Sequence, residues 1–69
     1  MFKIYLDGEV DEDLMLSTMR AISDQFECDV AYDKASKTLA CKADTQTLKV
    51  IIIMLDENDF NVLGYEMSV

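Results

Sequence analysis

Apolar and polar positions alternate along the chain with two periods. Phe2, Ile4 and Leu6 alternate with Lys3, Tyr5 and Asp7, a period of two that predicts a strand ending near Gly8. An acidic stretch follows, Glu9-Val10-Asp11-Glu12-Asp13. Carboxylates suit the start of a helix, where they accept from free N–H groups and meet the positive end of the dipole. The period then lengthens: Met15, Thr18, Ile22 and Phe26 form one helical stripe, flanked by Leu14, Met19 and Ala21. Cys28, Val30 and Tyr32 resume alternation with Asp29 and Ala31, predicting a second strand. Leu39, Cys41 and Ala43 alternate with Ala40 and Lys42, predicting a third. The polar turn Asp33-Lys34-Ala35-Ser36-Lys37 joins them. Pairing Tyr32 with Leu39 sets Val30 against Cys41 and makes the same face apolar on both strands.

Asp44 or Thr45 can cap a second helix reaching about Asn58, with a core stripe of Leu48, Ile51, Ile52 and Leu55. The run Val50-Ile51-Ile52-Ile53 is β-branched and also suits a buried strand. The cap, the length and the 48/51/52/55 spacing favour the helix. A last strand begins near Phe60 and continues toward Val69. Its apolar alternation shifts from Phe60/Val62 to Leu63/Tyr65/Met67/Val69, so Gly64 marks an expected bulge.

Strand, helix, hairpin, helix, strand predicts an α+β fold: one ferredoxin-like βαββαβ sandwich spanning residues 1–69. Its four-stranded antiparallel sheet is covered on one face by two helices. Sixty-nine residues make one domain with a small core. Half the residues are apolar and 29% are charged, which fits a globular chain rather than a disordered one. The formal net charge of -8 disfavours nucleic acid and anionic membrane, since both repel it. It suits a basic protein partner, a cation, or simple solubility. Two cysteines and no signal-type apolar segment fit a reducing cytoplasm, and the run Val50 to Leu55 is far too short to span a bilayer.

The chain resembles a heavy-metal-associated domain, the small metallochaperone module, over nearly its whole length. The resemblance rests on the Asp7-Gly8 step into the first helix, the turn at Lys34 to Lys37, and the Leu48/Ile51/Ile52/Leu55 pattern before Phe60. ACT-type regulatory domains share such signals. The family's metal site is a pair of cysteines in the loop after the first strand, whose thiolates grip soft metals. Here that segment reads DGEVDEDL, with Asp11 and Leu14 at the two cysteine positions. The resemblance therefore implies a degenerate member without the thiol site, and no cofactor is expected.

Cys28 and Cys41 fall on the inward face of the hairpin. Core packing is the preferred role; a disulfide and a metal or redox role are the alternatives. Five methionines form no clear cluster and read as core filler. The chain has no histidine and no glycine-rich phosphate loop, and Ser17, Ser23, Ser36 and Ser68 have no base beside them. No enzyme activity is expected.

Two surfaces stand out. The topology gathers Asp7, Glu9, Asp11, Glu12, Asp13, Asp33, Asp56, Glu57 and Asp59 at one end, offset by Lys34 and Lys37. Capping and solubility account for such a cluster; docking of a basic protein and a cation held at Asp11 and Asp13 are the functional alternatives. The second surface is an apolar flank of the second helix, where Val50, Ile53 and Met54 point sideways or outward unless the helix sits deeper. The last strand, through Leu63, Tyr65 and Met67, adds an edge for pairing between subunits. The first expectation is a non-catalytic interaction module that self-associates or docks on a larger protein. Second comes a small-ligand or metal-ion regulatory domain, and third an acidic decoy of a nucleic-acid-binding protein.

Overall fold

The computed structural model describes residues 1–67; Ser68 and the expected extension of the last strand to Val69 lie outside them. The element order is β1 (Phe2–Asp7), α1 (Glu12–Phe26), β2 (Val30–Asp33), β3 (Thr38–Cys41), α2 (Thr45–Glu57) and β4 (Asn61–Met67). The strands form one antiparallel sheet in the order β2-β3-β1-β4. This is the expected α+β arrangement.

Each helix starts on an aspartate. Asp11 precedes α1 in extended conformation, and its Oδ1 accepts from Leu14 N at 3.1 Å. Asp44 does the same for α2, accepting from Thr47 N at 2.7 Å. Both satisfy one of the N–H groups a helix start leaves free. The end of α2 is also specified. Asp59 takes a left-handed φ of 65°, Phe60 N donates to Leu55 O at 3.0 Å, and Asp59 N donates to Asp56 O at 3.1 Å. This is a Schellman closure, and its customary apolar contact is supplied by Leu55 and Phe60, both buried. Phe60 therefore belongs to the helix stop, and β4 begins one residue later than its apolar pattern indicates.

The core lies between the helices and one face of the sheet. Phe2, Ile4 and Leu6 meet Met15 and Ile22 of α1, Leu39 and Cys41 of β3, and Leu48, Ile51 and Leu55 of α2. Tyr32 pairs with Leu39 and Val30 with Cys41, as the alternation requires. Thr18 is the one buried polar residue on the α1 stripe, and its Oγ1 donates to Leu14 O at 2.8 Å. Phe26 and Ile52, expected in the core stripes, are only half-buried at its margin.

The bulge falls in β4. Tyr5 pairs with Gly64 but Leu6 pairs with Val62, so Leu63 is the extra residue. Gly64 has no positive φ, and a Cβ added there meets nothing within 4 Å, so the bulge does not depend on glycine. The extra residue puts Val62 and Tyr65 on the same face of the sheet, beside Leu6 and Ile4 respectively.

Candidate functional site

The acidic end forms as the topology dictates. The β1–α1 connection, the β2–β3 hairpin and the α2–β4 turn sit side by side: Leu6 N donates to Lys37 O at 3.0 Å, Lys37 Nζ to Gly8 O at 2.7 Å, and Asp7 pairs with Asn61. Gly8 turns the chain out of β1 with φ 75°, a left-handed conformation that glycine adopts without Cβ strain. The Lys34 ammonium meets Glu12 at 2.5 Å, both side chains well exposed, and this contact raises the lysine pKa.

Three of these carboxylates work locally. Asp11 caps α1, Glu12 faces Lys34, and Asp33 Oδ1 accepts from Ala35 N at 3.0 Å within the hairpin turn. Among the described residues no three His, Cys, Asp or Glu side chains converge to hold a metal ion. Asp11 and Asp13, the cation candidates, thus gain no third ligand.

The thiols are not paired with each other. Cys41 is fully buried and Cys28 half-buried. Burial pushes both thiol pKa values up, with Asp29 adding to the effect at Cys28, so neither is primed as a thiolate.

The apolar flank is where the structure departs from a closed two-layer sandwich. Ile53 is 55% exposed and Val50 39%, so α2 does not sit deeper than its core stripe requires. Met54 differs from the expectation for it: half-buried, it packs against the core, because at 100° per residue it shares a flank with Thr47 and Asn58, all three partly covered. Covered residues on that flank identify it as the side facing α1. The opposite flank carries Thr45, Lys49, Ile52 and Asp56; all but Ile52 are exposed, so this flank faces the β4 edge. Right-handed crossovers require the same orientation.

Strand β4 completes this surface. Tyr65 and Met67 pair with Ile4 and Phe2 and so belong to the helix-covered face. Yet they are 54% and 65% exposed. The Tyr65 ring packs edge-on to Phe2 at 6.3 Å between centroids. The helix layer leaves these two side chains of the edge strand more than half open to solvent. Leu63, in the bulge, is 65% exposed. Leu16 on α1 is a further exposed apolar residue to which the helical stripe gave no signal.

The uncovered face of the sheet carries a shallow cavity of about 390 Å³ lined in part by Lys3, Tyr5, Asp33 and Thr38. Much of its polar chemistry is already engaged. The Tyr5 hydroxyl donates to Glu66, which raises its pKa, and Thr38 Oγ1 donates to Ser36 O. No helix among the described residues is long and apolar enough to cross a membrane. No protein-family model, no curated protein and no solved structure matches this chain.

Proposed function

We propose that this domain is a non-catalytic protein-interaction module that binds through the outer flank of α2 and the β4 edge. One observation carries the reading. Tyr65 and Met67 lie on the face of the sheet that should be covered, yet both are more than half exposed, next to an α2 whose Ile53 and Val50 also face solvent. Several exposed apolar side chains on one helix and the strand beside it mark an interface. The acidic end, with Asp11, Glu12, Asp13, Asp56 and Glu57, has the charge to steer a basic protein toward the domain while disfavouring nucleic acid and anionic membrane. The scaffold is read as a degenerate heavy-metal-associated domain: where that family's thiols stand, this chain has a helix cap at Asp11 and an apolar side chain at Leu14. Two unpaired thiols suit a reducing compartment such as the cytoplasm.

The test compares the wild-type chain with a Val50→Glu/Ile53→Glu variant, both checked for native circular dichroism. Each is tagged, captured from a lysate of its source cells, and sized alone by light scattering. The wild type is expected to self-associate or to retain a protein that the variant loses. Identical behaviour of the two folded proteins refutes the reading. A second reading, a small-ligand regulatory domain, is favoured by the 390 Å³ cavity on the open face. Saturable amide shifts at Lys3, Tyr5 and Thr38 on titration with small zwitterions, and none in α2, would support it over the first.

A further inference from the structure

We infer that the partner for this surface is a second copy of the chain. Two β4 strands pair antiparallel about a two-fold axis, which brings the two α2 helices side by side. The inference rests on the interaction-module reading and goes beyond it in naming the occupant and the geometry.

The flank of α2 that faces the β4 edge is self-complementary. From the start of the helix it presents Thr45, Lys49, Ile52 with Ile53 beside it, and then Asp56. The midpoint between Lys49 and Asp56 falls between Ile52 and Ile53. A two-fold axis through that midpoint sets Lys49 against Asp56 of the other copy, twice, around a central apolar contact. Such a patch meeting its own copy is the requirement of a closed dimer. Neither residue makes an ion pair among the described residues.

Asp56 also stands where helix stability alone would not put it. It lies in the last turn of α2, against the negative end of the dipole, and that turn has no basic residue to offset it. A cation from a second copy supplies what the helix lacks.

The backbone agrees with the side chains. β4 is a sheet edge, seven residues long, without proline or lysine to blunt it; its bulge at Leu63 lies at the centre, so pairing with a second β4 runs through the regular residues on either side of it. From the turn at Asn58–Phe60, seven strand residues at ~3.3 Å and thirteen helix residues at ~1.5 Å run back over similar lengths, so one axis can serve both elements. With strands ~4.8 Å apart and α2 over the β1–β4 side of the sheet, the two helices come about 10 Å apart, a normal packing distance. Tyr65, Met67, Ile52 and Ile53 then meet their counterparts. The same rotation sends the two acidic ends to opposite ends of the eight-stranded sheet, so net charges of -8 do not collide at the interface. A foreign partner needs no such symmetry on this flank.

Sedimentation equilibrium of the full chain, from ~10 μM to ~1 mM at ~0.15 M salt, tests this; the Debye length there is about 8 Å, so distant repulsion is screened. The wild type is expected to approach twice the 7.8 kDa chain mass. Lys49→Glu and Asp56→Lys should each weaken association about tenfold or more, since each creates two like-charge contacts. The double variant should recover the wild-type affinity. Both side chains are exposed, and Asp56→Lys also favours the helix dipole, so misfolding does not confound them. In a mixture of isotope-labelled and unlabelled chains, Hα–Hα contacts should appear between β4 strands of different copies. A monomer at ~1 mM overturns the inference. So does a dimer whose double variant fails to recover, or one without β4–β4 contacts. A monomeric chain that still holds another protein through Ile53 refutes self-pairing alone and leaves the interaction module standing.

Discussion

Ile51 and Ile53 are two residues apart in one β-branched run, and truncating each to alanine reads the geometry of α2 directly. The chemical change is identical at both sites. So is the gain in helix propensity, about 0.4 kcal/mol in favour of alanine. Only burial differs: Ile51 is fully buried and Ile53 is 55% exposed. At Ile51 the loss of transfer energy plus the cavity costs roughly 2–5 kcal/mol, so the net effect after the propensity gain is about 1.5–4.5 kcal/mol. At Ile53 three carbons less than half buried lose about 1 kcal/mol with no cavity, for a net effect near 0.5 kcal/mol. A 69-residue domain holds roughly 3–10 kcal/mol in total. Ile51→Ala should therefore lower Tm by roughly 10–25 °C, and Ile53→Ala by only a few degrees. Thermal and urea unfolding followed by circular dichroism at micromolar protein, where mass action adds little stability, measures both. In a strand, positions 51 and 53 share one face. Equal destabilisation by the two substitutions would refute the helix and the surface built on it.

Asp11→Ala should cost about 1 kcal/mol by removing the α1 cap, and millimolar calcium should not restore the urea midpoint; full recovery by calcium would contradict a purely local role for this carboxylate. Asp59→Gly should raise stability by up to about 1 kcal/mol, since glycine relieves the left-handed φ of 65°, and a lower midpoint would show that the aspartate earns its place otherwise. The N–H of Thr47 holds the Asp44 carboxyl below the usual carboxylate range. Its folded pKa lies under the unfolded one, so its contribution is complete above the ordinary carboxyl range and fades as pH falls through the depressed value. Asp44→Asn, which still caps but does not titrate, should flatten that part of the stability–pH curve. Cys28 should react with a disulfide reagent more slowly than a free thiol, and Cys41 only as fast as the domain opens; fast labelling of Cys41 in the folded protein would contradict its burial.

Much of the fold is written in local periodicity. The hairpin register follows from Tyr32 and Leu39, because any slip by one residue turns the apolar face outward. The α1 and α2 stripes and both aspartate caps are likewise local signals. The start of β4 was less legible, because Phe60 is apolar and in phase with Val62, while its role as the end of the Schellman closure depends on the left-handed Asp59. For the candidate surface, helical spacing locates Ile53 and Val50 but cannot separate Met54 from them. Its burial depends on α1 lying alongside, a tertiary contact. The exposure of Tyr65 and Met67 is a matter of how far the helix layer reaches, which no alternation pattern encodes.

The extra residue in β4 fixes which side of the domain is sticky. Were Leu63 an ordinary ladder residue, every second position counted from Val62 would bring Glu66 under the helices and turn Tyr65 and Met67 to the open face, away from Ile4 and Phe2. Deleting Leu63 would remove the bulge and leave Tyr65 and Met67 opposite Ile4 and Phe2; drawing Leu63 into the ladder would instead carry the aromatic and thioether groups through the sheet. For a chain of this shape, the face that an edge strand offers is set by whether a single residue stands outside the ladder, while the strand beside it stays as it was.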